Sequence, residues 1–317
     1  MSDAQEATTF QTTHQKELSR ARIARMLQKE ALERAEMLYD TGDLLPFIKV
    51  LSKFHGYSYY NILLILAQYP QATCLTFHKV WEKYMGDSDD PVIKEEYRDT
   101  RINLIAPYAV ILENETCYAL WQRAKMLDIS QTNVTRFTPP ASIYRRGEEH
   151  LALLSLSLRS ALSSDHHASV IFSKTLFPTG DMGNPGFREG QNIFCRAGLS
   201  KKEQILWLSQ NLIDLSEPEK VIGERYKNLF LQLAQHCLLQ IWEITDRHML
   251  YMYQDPDLVR SIPKDLRPVF LDLMQRSVRR IEESVYCAYL QLLHDREEEL
   301  AFIPHRQTLE RKDDTKP

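Results

Sequence analysis

The segment from Phe54 to Ala72 constrains the fold of this chain more than any other feature. It reads FHGYSYYNILLILAQYPQA, and it surrounds the apolar run Ile62 to Leu66 with tyrosine, asparagine and glutamine side chains. A core helix needs only the apolar run, so the remainder predicts either contacts outside the core or an exacting local geometry. Ser58 stands just before the predicted helix, where its hydroxyl is suited to cap the first turn. The segment Met126 to Thr132, MLDISQT, is unusual in the same way.

Length and composition predict a cytoplasmic protein of two domains. The 317 residues are 44% hydrophobic, which is enough for packed cores, and the polar N-terminus is no signal peptide. The longest apolar run, Ile62 to Ala67, is too short for the ~20 residues that span a bilayer, so no membrane partner is expected. Five isolated cysteines predict small buried thiols in a reducing compartment: Cys74, Cys117, Cys195, Cys237 and Cys287.

The net charge of the chain bears on whether it can attract a polyanion such as a nucleic acid. The formal net charge of −4 gives no global attraction to polyanions. Any contact with nucleic acid therefore requires a local basic or aromatic surface.

The sequence predicts an α+β fold, mostly helical, with a small antiparallel sheet in an N-terminal domain and a helix-rich C-terminal domain. The predicted boundaries are a disordered tail at 1–13, an N-terminal domain with a long leading helix at 14–132, a linker at 133–147 and a helical domain at 148–317. Helical periodicity predicts helices at 14–39, 44–53, 59–68, 76–84, 148–162, 201–215, 220–253 and 265–300. β-branched and aromatic residues predict a hairpin of 101–112 with 116–129, and a short strand at 192–195 after the irregular stretch 163–190.

Aromatic and basic residues near the first segment predict a platform for unpaired bases. Ring faces stack on any base with about 1–3 kcal/mol, while amides, hydroxyls and cations hold phosphates or base edges. The alternative is that Tyr57, Tyr59 and Trp81 pack the core of the domain. The candidate DNA-binding residues are Lys53, His55, Tyr57, Tyr59, Tyr60, Asn61, Gln68, Lys79, Trp81, Lys83 and Arg101.

Residues 44–132 resemble the N-terminal domain of ArdC-type antirestriction proteins of plasmids and conjugative elements. The resemblance covers some ninety residues in order, and it implies an α+β fold and affinity for single-stranded DNA. The matching residues are Tyr57, Ser58, Tyr59, Asn61, Gln68, Pro70, Ala72, Trp81, Ala106, Pro107, Asp128, Gln131 and Thr132.

One region departs from the family pattern, which has lysines and glycines between the Trp helix and the strand. Here the region from Met85 to Arg101 carries six acidic residues against Lys94, Arg98 and Arg101. Because fewer phosphate contacts release fewer counterions, this loop predicts that the fold persists while affinity for DNA is weakened or lost.

The second domain resembles the approach to the HExxH helix of zinc peptidases of the ImmA/IrrE group. Ser200 and Glu203 predict a capping box at the start of that helix. The two histidine positions of the motif fall on Gln210 and Asp214, and the glutamate position falls on Asn211. Since these residues supply neither a zinc ligand set nor a base, we expect a peptidase-like scaffold without metal, cofactor or catalysis.

Two functional hypotheses follow. The first is a non-enzymatic, ArdC-like protein of a mobile element that binds single-stranded DNA in antirestriction or conjugative transfer. The second is a protein-interaction module on the same decayed scaffold, whose C-terminal helices, between Lys220 and Leu300, contact a protein partner.

Overall fold

The computed structural model describes residues 3–85, 90–113, 116–135, 137, 144, 147–177, 184–244 and 255–301, and the side chains among them from 19, except 108–120 and 297–301. The chain divides into two compact units. The first contains Met1–Ile143 and Pro218–Val278, and the second contains Tyr144–Glu217 and Arg279–Pro317. Residues 218–278, assigned to the C-terminal domain in the sequence prediction, therefore belong to the first unit.

Helices predominate in the described residues, which agrees with the predicted fold class. In chain order they are α1 Asp3–Thr41, α2 Leu45–Phe54, α3 Tyr59–Gln68, α4 His78–Met85, α5 Glu148–His166, α6 Lys201–Asp214, α7 Glu219–Ile222, α8 Glu224–Ile241, α9 Pro256–Arg260 and α10 Leu266–Ala301. Two short 3-10 helices lie at Glu95–Tyr97 and Ile129–Gln131. Within the described chain, no helix is long and apolar enough to span a bilayer.

Two helix predictions need correction. Helix α1 begins at Asp3, inside the predicted disordered tail, in a stretch that contains neither Gly nor Pro. The predicted helix 220–253 is interrupted at Gly223, whose φ of 81° lies in the left-handed region. The end of that prediction, from 245, lies outside the described residues, as does most of the predicted linker.

The first unit contains the predicted hairpin, extended by one short strand. Strands β2 Ile102–Glu113 and β3 Thr116–Asp128 pair antiparallel, and β1 Leu75–Thr76 pairs antiparallel with the end of β3. The strand order is β1-β3-β2, so β2 forms one edge of the sheet. The pairing register shifts between Pro107 and Ala109.

The second unit contains a three-stranded sheet of which only one strand was predicted. Strand β4 Ser169–Ser173 runs parallel to β6 Asn192–Arg196, and β5 Gly186–Glu189 pairs antiparallel with β6. Gly186 was interpreted as part of an irregular stretch. A Cβ atom at this position would lie 2.1 Å from the carbonyl oxygen of Phe194, so the glycine permits close strand pairing.

Two side chains of α3 close the edge of the first sheet. Asn61 donates from Nδ2 to the carbonyl of Ile105 at 2.8 Å and accepts from the Ile105 N–H at 2.8 Å. Gln68 makes the same pair of bonds with Asn103, at 3.0 and 2.8 Å. The amides thus take the place of a neighbouring strand, and they satisfy backbone groups that an edge strand would otherwise expose.

Each unit has its own apolar core. Tyr39 of α1, Phe230 of α8 and Phe270 of α10 are fully buried in the first unit, where the Tyr39 hydroxyl donates to the Arg267 carbonyl at 2.9 Å. In the second unit α5 packs on α6 through fully buried leucines that include Leu158 and Leu208.

The cysteines follow their predicted role in part. Cys195 and Cys237 are buried, and burial raises the pKa of the Cys195 thiol to about 11, so it is a poor nucleophile. Cys74 is half-buried, whereas Cys287 is exposed on α10, which the sequence prediction did not anticipate. The side chain of Cys117 lies outside those described.

Replacing Asn61 with leucine should lower the free energy of unfolding by about 2–4 kcal/mol, because both polar groups of Ile105 would lose their partner inside the protein. Gln68→Leu should cost less, since Asn103 is half-buried and water can replace the lost bonds. Urea unfolding followed by circular dichroism measures both values. An Asn61→Leu variant as stable as the wild type would show that the amide does not hold the edge.

Candidate nucleic-acid interface

The two rings at the centre of the predicted platform are buried. Trp81 is 0% exposed, its indole N–H donates to the Leu127 carbonyl at 3.1 Å, and its ring contacts Tyr84 and Phe137 edge-on or tilted. Tyr59 is 8% exposed. Since a stacking base needs an open ring face, a stacking role for Trp81 or Tyr59 is inconsistent with this structure.

Three polar residues of the predicted platform, and the neighbouring Ser58, form hydrogen bonds with backbone groups. Asn61 and Gln68 bond to β2 as described above, and Ser58 caps α3 as predicted, accepting from the Asn61 N–H at 3.4 Å. Arg101 donates from Nη1 to three backbone carbonyls, those of residues 97, 98 and 100. These bonds hold the first unit together.

The remaining rings near the start of α3 are half-buried. Tyr57 packs edge-on against Phe54 with 5.8 Å between centroids, and burial raises the pKa of the Tyr57 hydroxyl. The ring of Tyr60 lies 4.1 Å from that of Tyr59, and the His55 carbonyl accepts from Gln275 at 3.0 Å. These residues retain only partial accessibility, so they form a less open surface than the sequence predicted.

The predicted lysines are exposed and divide between two places. Lys79 and Lys83 lie one turn apart on α4, and neither makes an ion pair among the described side chains. Lys53 lies instead beside Lys49 on α2, and its Nζ donates to the Ala72 carbonyl at 3.2 Å. Burial and then the charge of Lys49 lower the pKa of Lys53.

The MLDISQT segment is a structural junction. The buried Asp128 carboxylate accepts from the N–H groups of Thr73 and Cys74 at 2.6 and 2.8 Å, and from both the N–H and the hydroxyl of Ser130. Gln131 completes a capping box by accepting from the Asp128 N–H at 2.8 Å. The segment thus joins the end of β3 to the loop that precedes β1, which explains its unusual composition.

An exposed aromatic and basic row lies on β3, and the sequence analysis missed it. Trp121 is 44% exposed, Arg123 and Lys125 are exposed, and the intervening Ala124 is buried at 6%. Alternate residues of a strand point to the same face, so these three side chains share one face of the sheet. In the stretch Trp-Gln-Arg-Ala-Lys, the first, third and fifth residues are the exposed ones. This spacing was the feature of the sequence from which the row could have been predicted.

Helix α4 packs against β3 just beyond one end of the row. Trp81 of α4 bonds to Leu127, two residues beyond Lys125, and Thr76 pairs with Leu127 just before α4 begins. Helix α4 therefore lies at the Lys125 end of the row, with Trp81 facing the sheet, and Lys79 and Lys83 lie on the opposite, exposed side of the helix. Neither Arg123 nor Lys125 has an ion-pair partner among the side chains that the structure describes.

The acidic region between α4 and β2, which departs from the family pattern, is described in part, and its basic residues bond to neighbouring groups. Lys94 is held by the Ser130 carbonyl at 2.8 Å, and Arg98 pairs with Glu95 at 3.3 Å. Residues 86–89 of this segment lie outside the described part. The exposed carboxylates of Glu96 and Asp99 remain as negative charge in the first unit.

In the second unit, the three positions that match HExxH differ: Gln210 is exposed, Asn211 is buried and Asp214 is in an ion pair. Ser200 and Glu203 form the predicted capping box of α6. Asn211 is buried and donates to the Trp207 carbonyl at 2.8 Å, while Asp214 forms an ion pair with Arg188 of β5. Across the described ranges, no group of three or more His, Cys, Asp and Glu side chains is placed to hold a metal ion.

No protein-family model matches the chain, and no curated protein matches it. Among solved structures, the chain is similar to the metal-free crystal structure of the antirestriction protein ArdC from plasmid R388. The identity is 9%, the match covers 73% of this chain and 85% of that one, and the TM-score is 0.42. At this identity and TM-score, the likeness establishes neither the fold nor the activity of this chain.

The two tryptophans of the first unit should respond differently to replacement. Trp81→Phe should lower the free energy of unfolding by about 1–3 kcal/mol, because it leaves the buried Leu127 carbonyl without its donor. Trp121→Phe should change it by less than about 0.5 kcal/mol, since the ring is at the surface. Equal losses of stability in urea unfolding would contradict the assignment of Trp81 to the core and Trp121 to the surface.

Proposed function

We propose that this protein binds single-stranded DNA through the open face of the first sheet. The single observation that carries the proposal is the exposed row of Trp121, Arg123 and Lys125 on β3. A ring beside unpaired cations is the combination that holds single strands without sequence preference.

The geometry of a strand suits this task. Successive side chains on one face are about 7 Å apart, so the ring and the two cations follow a line about 14 Å long. The ring supplies stacking worth about 1–3 kcal/mol per base, and the cations hold successive phosphates. The low net charge of the chain and the carboxylates of Glu96 and Asp99 oppose binding, so modest affinity with strong salt dependence is expected.

The choice of DNA, and a role in antirestriction or conjugative transfer, rest on the sequence resemblance of residues 44–132 to ArdC-type domains. The proposed role involves no catalysis. The ion pair between Asp214 and Arg188 supports this part of the proposal, because an aspartate engaged by a guanidinium is a poor metal ligand.

A specific observation favours the second hypothesis, a protein-interaction module. Within the second unit, α10 exposes Tyr286 and Leu290, which are 38% and 40% exposed and lie one turn apart, with Cys287 between them. An exposed apolar stripe on a helix is typical of a surface that contacts protein. This function predicts that binding to a protein partner is unaffected by changes to the β3 row.

Replacing the β3 row should weaken binding of a fluorescein-labelled single strand, measured by fluorescence anisotropy. Trp121→Ala should cost about 1–3 kcal/mol of binding free energy through lost stacking. Arg123→Ala and Lys125→Ala should each reduce the slope of log K against log salt by about 0.7, because each removes one phosphate contact.

Lys29→Ala is the matched control, since Lys29 is an exposed lysine of α1 that pairs with Glu33. It should leave both affinity and salt slope unchanged. Absence of salt-sensitive binding at micromolar protein would sink the proposal. Equal losses in the control and in the β3 variants would show that binding is only diffuse attraction to positive charge.

A further inference from the structure

A second possible ligand site lies in the first unit, in a pocket of about 820 Å³ beside α2. Helix α2 forms one wall, the turn after α3 forms another, and α8 contributes polar side chains. The volume falls within the range of about 300–1,000 Å³ that is typical of small-molecule sites. Neither the β3 row nor the α4 lysines line this pocket. The pocket therefore shares no residues with the proposed strand-binding face.

Two lysines bring positive charge to the pocket. Lys49 and Lys53 both line it, and they lie one turn apart on the same face of α2. Like charges at this spacing destabilise a helix slightly, so local structure alone does not favour the pair. The bond from Lys53 to the Ala72 carbonyl uses one of three ammonium donors, which leaves two.

The acidic side chain in the lining does not neutralise both lysines. Asp43 accepts from the Leu45 N–H at 2.9 Å, a local bond in the turn before α2. No described carboxylate forms an ion pair with Lys49 or Lys53 within 4.0 Å. The lining therefore carries two lysines against one aspartate, and the charge of the buried Asp128 also acts on Lys53.

The rest of the lining is apolar with a polar border. Leu45, Pro46 and Pro70 offer partly exposed apolar surface, which suits a flat ring system. On the α8 side, Gln240 contacts His236 at 2.8 Å between side-chain nitrogens, and both side chains line the pocket. Such a border can form hydrogen bonds with the edge of a heterocycle.

We propose that this pocket binds a phosphorylated ligand of nucleotide size, with the phosphate on Lys49 and Lys53 and the ring system on the Leu45–Pro46 surface. A phosphate offers several strong acceptors, which match two adjacent ammonium groups. The same chemistry is present in a free mononucleotide and in the phosphorylated end of a strand. The pocket is thus a nucleotide site distinct from the β3 row.

The test uses adenosine 5′-monophosphate carrying a methylanthraniloyl fluorophore as the probe, titrated with the full-length protein. We expect a saturable rise in anisotropy. Unlabelled adenosine monophosphate should compete better than either inorganic phosphate or adenosine, because it uses both halves of the site. A short 5′-phosphorylated oligonucleotide, compared with its unphosphorylated form, shows whether the end of a strand also enters.

The Lys49→Ala/Lys53→Ala double variant should lose at least about tenfold in affinity, whereas Lys49→Arg/Lys53→Arg should retain binding because the charge is kept. Circular dichroism and thermal unfolding confirm that both variants are folded. Lys29→Ala, which removes an exposed lysine far from the pocket lining in sequence, should bind the probe like the wild type.

Three outcomes would overturn the inference. The first is no saturable binding at millimolar probe, and the second is full binding by the double alanine variant. The third is competition by inorganic phosphate as strong as that by the mononucleotide, which would mean an anion site without a place for the ring.

Discussion

The hydrogen bonds between two amides of α3 and the edge of β2 are the interaction on which the first unit depends. Asn61 and Gln68 each pair with both polar groups of one strand residue, so a helix takes the place of a fourth strand. This arrangement fixes the position of α3 along β2, because a shift of one residue would break all four bonds. It also prevents the edge from pairing with another chain.

That constraint decides where a ligand can bind. The polar residues of α3 bond to the edge of the sheet, and Trp81 packs in the core. Asp128 forms the hydrogen bonds of the junction at the end of β3. The sequence signature is therefore largely the signature of a fold. Accessible chemistry in this unit lies elsewhere, on the open face of β3 and in the pocket beside α2, where cations lack carboxylate partners among the described residues.

Local features were predictable from the sequence, and long-range ones were not. Periodicity located most helices, and the caps at Ser58 and Ser200 were confirmed because they depend on neighbours within three residues. Whether the Trp81 side chain faces the core or the surface was not predictable, since an amphipathic aromatic residue suits either a core or a binding surface. Strands β4 and β5 were missed because their pairing with β6 is a tertiary property.

In the candidate site too, local features were predictable from the sequence and long-range contacts were not. The lysines of α4 were correctly expected at the surface, whereas Asn61 and Gln68 were assigned to DNA although their partners lie some forty residues away in β2. The β3 row was not predicted, because the aromatic residues are concentrated around α3. Alternation of exposed and buried residues in a strand is a weaker signal than a cluster of rings, yet it identifies the accessible face.

Photocrosslinking with a single strand that carries 5-bromodeoxyuridine, followed by mass spectrometry, tests the central claim most directly. The account predicts crosslinks on the β3 peptide that contains Trp121, and none to the ring of Trp81. Crosslinks concentrated on Tyr57, Tyr59 or Trp81 would contradict it, because they would require the rings of α3 and α4 to leave the core and meet the bases.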